Sequence, residues 1–435
     1  MAMNLKNKRL LIMGGNQISW EIIHAAKRLG CFVGVTDYYP IEKSPGKQIA
    51  DAAHNVSTID IDAMVSLIKK ERYDGIFCGF VDMLLPYYAK ICEKTNRPAY
   101  GTEDQFKIFT NKNLYKPLLR EYGIPTIKDY SIDPDNIEKS TDNISFPVLV
   151  KPSDGSGSRG ISVCYNAGEL KNALVKAGSF SKTGEIIVEQ YIEGREATIN
   201  WVFQNGEYYL TSISNRHVKY NQDAVIPLPV GYTYPSHLIP KYRAEIEENC
   251  KKMFRDLGIK DGMLYMQCKV VDNVCIVYDI GYRLTGALEY KNINDVCGYN
   301  PMDMLIHFAI TGNMGEPELA KKVDPTFNGR YGFNVSTVIA PCTIGDIQGV
   351  DVVKSFPGVI DSVIDHYPGT TISEDLRGHL TQLTVRTLGT VNTEEELYPM
   401  MKKIENSISV FSTEGIKMNL PGIETEDIQG YVLNQ

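Results

Sequence analysis

Residues 146–163 read FPVLVKPSDGSGSRGISV, an apolar strand that breaks into a lysine and a glycine-rich turn. Val148, Leu149 and Val150 are β-formers held between Pro147 and Pro152, and a second β-run, ISVCY, begins at Ile161. Gly155, Gly157 and Gly160 let backbone N–H groups approach a polyanion closely, and Lys151 sets a point charge beside them. The pattern predicts a phosphate-holding hairpin. It departs from the Walker arrangement, in which the lysine follows the glycines and opens a helix. Taken without its neighbours, the same stretch also fits an ordinary glycine-rich hairpin.

Upstream, residues 9–110 alternate strand and helix in the manner of an open parallel sheet. A β-run over 9–13 ends in Gly14-Gly15-Asn16, and Ile18, Ile22, Ala25, Ala26 and Leu29 then make one apolar helical face. A second strand over 31–36 ends at Asp37. A glycine turn and a later acid are parts of a dinucleotide fingerprint, but GGNQIS lacks the GxGxxG spacing, so the turn reads as packing or substrate-facing. Helices over 63–70 and 83–94 flank a strand over 75–79. Lys112 falls in the first turn of the next helix, where free backbone N–H groups favour anions, although a solvated lysine is the commoner reading.

Downstream of the hairpin, a helix over 167–177 and a strand over 186–188 lead into EQYIEGRE, residues 189–196. A strand that bends presents unpaired backbone groups able to read a base edge; an exposed acidic turn is the alternative. The stretch PLPVGYTYPS, residues 227–236, reads as a Pro- and Tyr-rich loop, and a helix follows over 241–257. Strands over 263–271 and 274–280 join at Asp272-Asn273 as a hairpin, which can bring Gln267 and Asp279 onto one face. Beyond 325, β-runs are expected over 334–340, 352–354, 359–363 and 383–388, with a helix over 394–406.

A chain of 435 residues exceeds one ordinary core and predicts roughly two to four domains. A net charge of -8 argues against nucleic acid as a partner. Nine cysteines without CxxC spacing read as small core residues of a reduced, cytoplasmic protein, and no span is long and apolar enough for a membrane.

The order of these motifs resembles the ATP-grasp superfamily of carboxylate–amine ligases over nearly the whole chain: Lys112 at the entrance, the Lys151 loop, the EQYI hinge with Glu196 seven residues on, and a paired-strand metal motif. The end of the chain is similar to the C-terminal module of L-amino-acid ligases. The resemblance implies an α/β fold with an N-terminal domain over 1–110, an ATP-grasp domain over 111–325 whose αβ lid covers about 126–195, and a small C-terminal αβ domain over 326–435. It implies that Lys112 and Lys151 contact ATP phosphates while Ser153, Gly155, Ser156, Gly157, Ser158 and Gly160 fold over them. Glu189 with the backbones of Gln190 and Ile192 would read adenine, and Glu196 the ribose hydroxyls. Gln267 and Asp279 would hold Mg²⁺, or Mn²⁺ in its place, and Arg283 would stabilise an acyl phosphate. Two positions depart from the pattern: Asp279 replaces a glutamate and loses roughly 1.3 Å of reach, and Gly281 replaces an asparagine, which puts a second metal in doubt. For Asp279 and Arg283 a structural ion pair is the competing reading.

The expected activity joins a small carboxylate, such as an amino acid, to an amine through an acyl phosphate, with Arg216, His217, Lys219 and Arg283 as candidate substrate contacts and a homodimer as a possible assembly. A bicarbonate-activating enzyme and a non-catalytic ATP-binding regulator are the alternatives.

Overall fold

The computed structural model describes residues 4–133, 140–153, 160–181, 184–220 and 227–433. Four parallel strands make the N-terminal sheet, in the order Ala52–His54, Phe32–Thr36, Arg9–Met13, Gly75–Phe77. Leu10, Leu11 and Ile12 are fully buried, as a parallel sheet covered by helices on both faces requires. The strand order reverses between Arg9–Met13 and Gly75–Phe77, so the crevice at their carboxyl ends is the switch point of this sheet. The glycine turn beside it is a packing device. Gly15 donates its N–H to Asp37 Oδ2 at 3.0 Å, and a Cβ at that position would lie 2.2 Å from Ser44 Oγ. Lys47, wholly buried, locks the same aspartate at 2.8 Å.

Eight antiparallel strands form the central sheet, in the order Val274–Gly281, Gly262–Val271, Glu196–Gln204, Glu207–Lys219, Leu228–Tyr234, Tyr331–Val338, Leu383–Val391, Val359–Ile364. The expected loop at 227–236 is therefore a strand in the middle of this sheet. Leu228, Val230, Tyr232 and Tyr234 are all buried, and Pro229 is tolerated because the ladder bulges beside it: His217 pairs with Gly231 and Val218 with Pro229, which leaves Val230 of this strand as the extra residue. The expected strand at 352–354 is a helix, Val350–Lys354, in which Val350 and Val353 bury one face. Its β-branched residues suggested a strand, but spacing of three places both valines inward.

A separate four-stranded sheet, Asp129–Tyr130, Ile186–Gln190, Val148–Pro152, Ser162–Cys164, carries the glycine hairpin. Val148, Val150 and Val188 pack on Leu170, Ala173 and Ala177 of helix Ala167–Phe180, giving this sheet, which lies in the segment expected as a lid, a core of its own. Helices Tyr290–Cys297 and Pro301–Thr311, which the sequence pattern left unassigned, tie the central sheet to the N-terminal one through the Asp303–Arg28 pair at 2.6 Å. No helix among the described residues is long and apolar enough to cross a membrane.

Candidate functional site

A cavity of about 310 Å³ lies between the lid sheet and the central sheet. Strand parity aims the side chains. In Val148–Pro152 the valines face the lid core, so Leu149 and Lys151 face the cavity. On Gly262–Val271, Gln267 and Lys269 share one face by the same rule. Gln267 stands opposite Asp279, and the next pair, Cys268 with Val277, skips Tyr278. This bulge turns both Tyr278 and Asp279 into the cavity.

Two buried carboxylates organise the charges. Glu189 Oε1 pairs with Lys151 Nζ, and Oε2 lies 2.6 Å from Lys116 Nζ. Burial pushes the Glu189 carboxyl up, but Lys151 and Lys116 outweigh it and hold it at about 2. Burial lowers the Lys151 ammonium against the opposing pull of Glu189. Glu196 pairs with Arg216, lies 2.7 Å from Lys269 Nζ, and accepts the Tyr278 hydroxyl at 3.1 Å. Burial raises this carboxyl too, and Arg216 and Lys269 bring it below its ordinary value. Lys112 Nζ reaches Asp279 Oδ1 at 3.2 Å.

Lys112, Lys151, Glu189, Gln190, Ile192, Glu196, Arg216, Gln267 and Asp279 thus meet at one cavity, although two of them are held by other partners there and several other expected residues lie elsewhere. The Gln190 N–H is already given to the Lys128 carbonyl at 2.9 Å, which leaves its own carbonyl as the backbone group for a base. Arg216, expected at substrate, is committed to Glu196. His217 points to the other face of its strand, bonded to Thr233 Oγ1 at 2.9 Å, and burial lowers its imidazole to about 4. Lys219 is taken by Asp427 at 2.6 Å. Ser153 sits on the lid surface with its Oγ 3.2 Å from Glu185. Gly160 has φ +74°, and a Cβ there would meet Phe180 Cβ at 2.8 Å. Gly155, Ser156, Gly157 and Ser158 lie outside the described residues. Arg283 lies apart from the cavity, at the seam with the N-terminal sheet. It donates from Nε and Nη2 to Asp82 at 2.6 and 2.5 Å and from Nη2 to Tyr265 Oη at 2.9 Å.

Sequence reasoning missed Lys116, Lys269, Tyr278 and Asp82. Lys116 follows Lys112 by one helical turn and Lys269 follows Gln267 by one strand period, so both had a signal. Tyr278 depends on the bulge, and Asp82 on a contact 201 residues away.

Magnesium fits this corner once. Gln267 and Asp279 offer two oxygen-bearing side chains from facing positions, and Mg²⁺ is held by one or two carboxylates together with phosphates and water. Position 281 can offer none: a Cβ on Gly281 would lie 2.4 Å from the Tyr265 ring, which fills that space. No cluster of three or more His, Cys, Asp or Glu side chains suited to a metal occurs among the described residues.

Residues 144–288, from the glycine hairpin to the strands bearing Gln267 and Asp279, match the ATP-grasp domain. Among solved structures the chain resembles the L-amino acid ligase of Bacillus licheniformis, with a TM-score of 0.75 at 20% identity over 94% of this chain and 99% of that one. It also resembles the biotin carboxylase domain of Hydrogenobacter thermophilus 2-oxoglutarate carboxylase, solved with MgADP and bicarbonate, at a TM-score of 0.75, 18% identity and coverage of 95% and 92%. In sequence it is 24% identical over 376 residues to the carbamoyl phosphate synthase large chain of Clostridium beijerinckii, covering 79% of this chain and 34% of that one. The chain therefore spans about a third of the length of that relative.

Proposed function

We propose that the protein is an ATP-dependent ligase that joins a small carboxylate to an amine through an acyl phosphate, in the cytoplasm. The observation that carries this reading is the meeting of Lys112, Lys151, Glu189, Glu196, Gln267 and Asp279 at one cavity between a lid and a sheet. Lys112 and Lys151 would leave their carboxylate partners and disperse the charge of the transferring phosphoryl group. Glu189 would accept from the base and Glu196 from the ribose. Gln267 and Asp279 would hold one magnesium ion, which when bound neutralises phosphate charge. Arg283 would stabilise the acyl phosphate from the N-terminal seam. The Lys151 lid excludes water that would otherwise hydrolyse that intermediate.

The test is ADP and phosphate release over a matrix of amino acids and amines with magnesium. Amine-dependent ADP release is expected, and Lys151→Ala should lower it about 100-fold. Absence of ADP or ATP binding at millimolar nucleotide would overturn the assignment. One observation favours a second reading, nucleotide binding without turnover: the Tyr265 ring closes position 281 to any metal ligand. Bound nucleotide with no acid- or amine-dependent ADP release would support it.

A further inference from the structure

Lys116 is the most deeply buried cation around the cavity, with a side chain only 2% exposed, yet it is not among the residues lining it. It lies one turn beyond Lys112 on helix Lys112–Glu121, and its ammonium sits between two acids, 2.5 Å from Asp129 Oδ1 and 2.6 Å from Glu189 Oε2. Those acids stand directly opposite each other where Asp129–Tyr130 pairs with Ile186–Gln190. Facing carboxylates repel unless a cation lies between them, and Lys116 is that cation.

We propose that Lys116 is a positioning residue that sets the nucleobase preference of the pocket: by bridging Asp129 and Glu189 it keeps Glu189 an acceptor-only carboxylate, which suits the 6-amino edge of adenine and rejects the 6-oxo edge of guanine. The inference rests on the nucleotide reading above. In that reading Lys151 moves from Glu189 Oε1 to the phosphates, and Lys116 is then the cation left on this buried carboxylate. Without Lys116, burial favours the neutral acid, whose hydroxyl can donate to guanine O6. Adenine presents a donor at position 6 and guanine an acceptor, so the protonation of one carboxyl is enough to change the preference. Asp129 retains Arg120 at 2.5 Å when Lys116 is replaced, which keeps the strand pair charge-balanced.

The experiment titrates the full chain calorimetrically with ADP and with GDP, for wild type, Lys116→Met, Lys116→Arg and Glu189→Gln, with thermal unfolding run alongside. Wild type should prefer ADP by about 100-fold. Lys116→Met should lower that ratio by about tenfold, largely through gained GDP affinity, and Lys116→Arg should keep it within about threefold. Glu189→Gln, which presents both a donor and an acceptor, should lose the preference as well, and it serves if Lys116→Met does not fold. A Lys116→Met protein that weakens both nucleotides equally would make the lysine purely structural and overturn the inference, as would a Glu189→Gln protein with the wild-type ratio. A wild type that binds neither nucleotide would instead overturn the nucleotide reading on which the inference stands.

Discussion

Glu289 carries its carboxyl into the core, where Oε2 takes the Thr285 hydroxyl and Oε1 has no partner among the described residues. Burial pushes it from 4.5 to about 7, against the opposing hydrogen bond from Thr285. The sign follows from proton linkage. Between those two values the folded chain holds a proton that the unfolded chain has released, so this group's stabilising contribution is complete below pH 4.5 and is lost as pH rises through about 7. The loss amounts to about 3 kcal/mol by pH 8. Glu289→Gln, neutral throughout, should unfold at a higher temperature than wild type at pH 8 and at a similar temperature at pH 5. Thermal unfolding across that range checks it, and parallel pH curves for the two proteins would place the titration elsewhere.

At the scale of elements, the hairpin of Gly262–Val271 and Val274–Gly281 shows what sequence can and cannot carry. Gln267 and Asp279 were legible as facing polar residues because each interrupts an apolar run and the Asp272-Asn273 turn fixes the pairing. The bulge at Tyr278 was not legible, since an extra residue in one strand has no signature in alternation. The same blindness hid the strand Leu228–Tyr234, whose proline sits beside a bulge at Val230 in the strand itself. Lys112 and Lys151 stood out from the helix start and the strand end that carry them, whereas their resting partners, Asp279 and Glu189, are set by packing between elements far apart in the chain. The hairpin also makes a prediction. Asp279→Glu restores reach toward a metal and should need no more magnesium than wild type for half-maximal nucleotide binding, whereas Asp279→Ala should need about tenfold more. Gly281→Asn should not supply a second ligand; it should lower stability by about 1–3 kcal/mol through collision with Tyr265. Magnesium titrations with melting curves test all three, and an unchanged requirement in Asp279→Ala would remove Asp279 from the site.

Across the whole molecule, the N-terminal sheet meets the rest of the chain through ion pairs drawn from distant segments: Arg28 with Asp303, Lys291 with Glu21, and Arg283 with Asp82. The last places a candidate catalytic arginine at a structural joint. Arg283 is 12% exposed and Asp82 37%, and the guanidinium stacks 5.0 Å from the Tyr265 ring centroid. Burial works against the charged guanidinium, but Tyr265 and Asp82 keep it firmly protonated. Asp82 follows Gly75–Phe77 beyond the carboxyl end of that strand, so the pair sits on the switch-point side of the N-terminal sheet. Catalysis and architecture then make different demands on it. Asp82→Ala leaves Arg283 buried without its partner and should cost about 2 kcal/mol, a value reduced for the partial exposure of Asp82. A double-mutant cycle with Arg283→Met should recover about 1–2 kcal/mol of that loss, because the unpaired charge goes with it. Turnover separates the roles. Arg283→Met should lower acid-dependent ADP release about 100-fold at unchanged ADP affinity, while Asp82→Asn, which keeps shape and a hydrogen bond, should retain most of it. An Arg283→Met enzyme with full turnover and only a lowered melting temperature would confine the arginine to the joint.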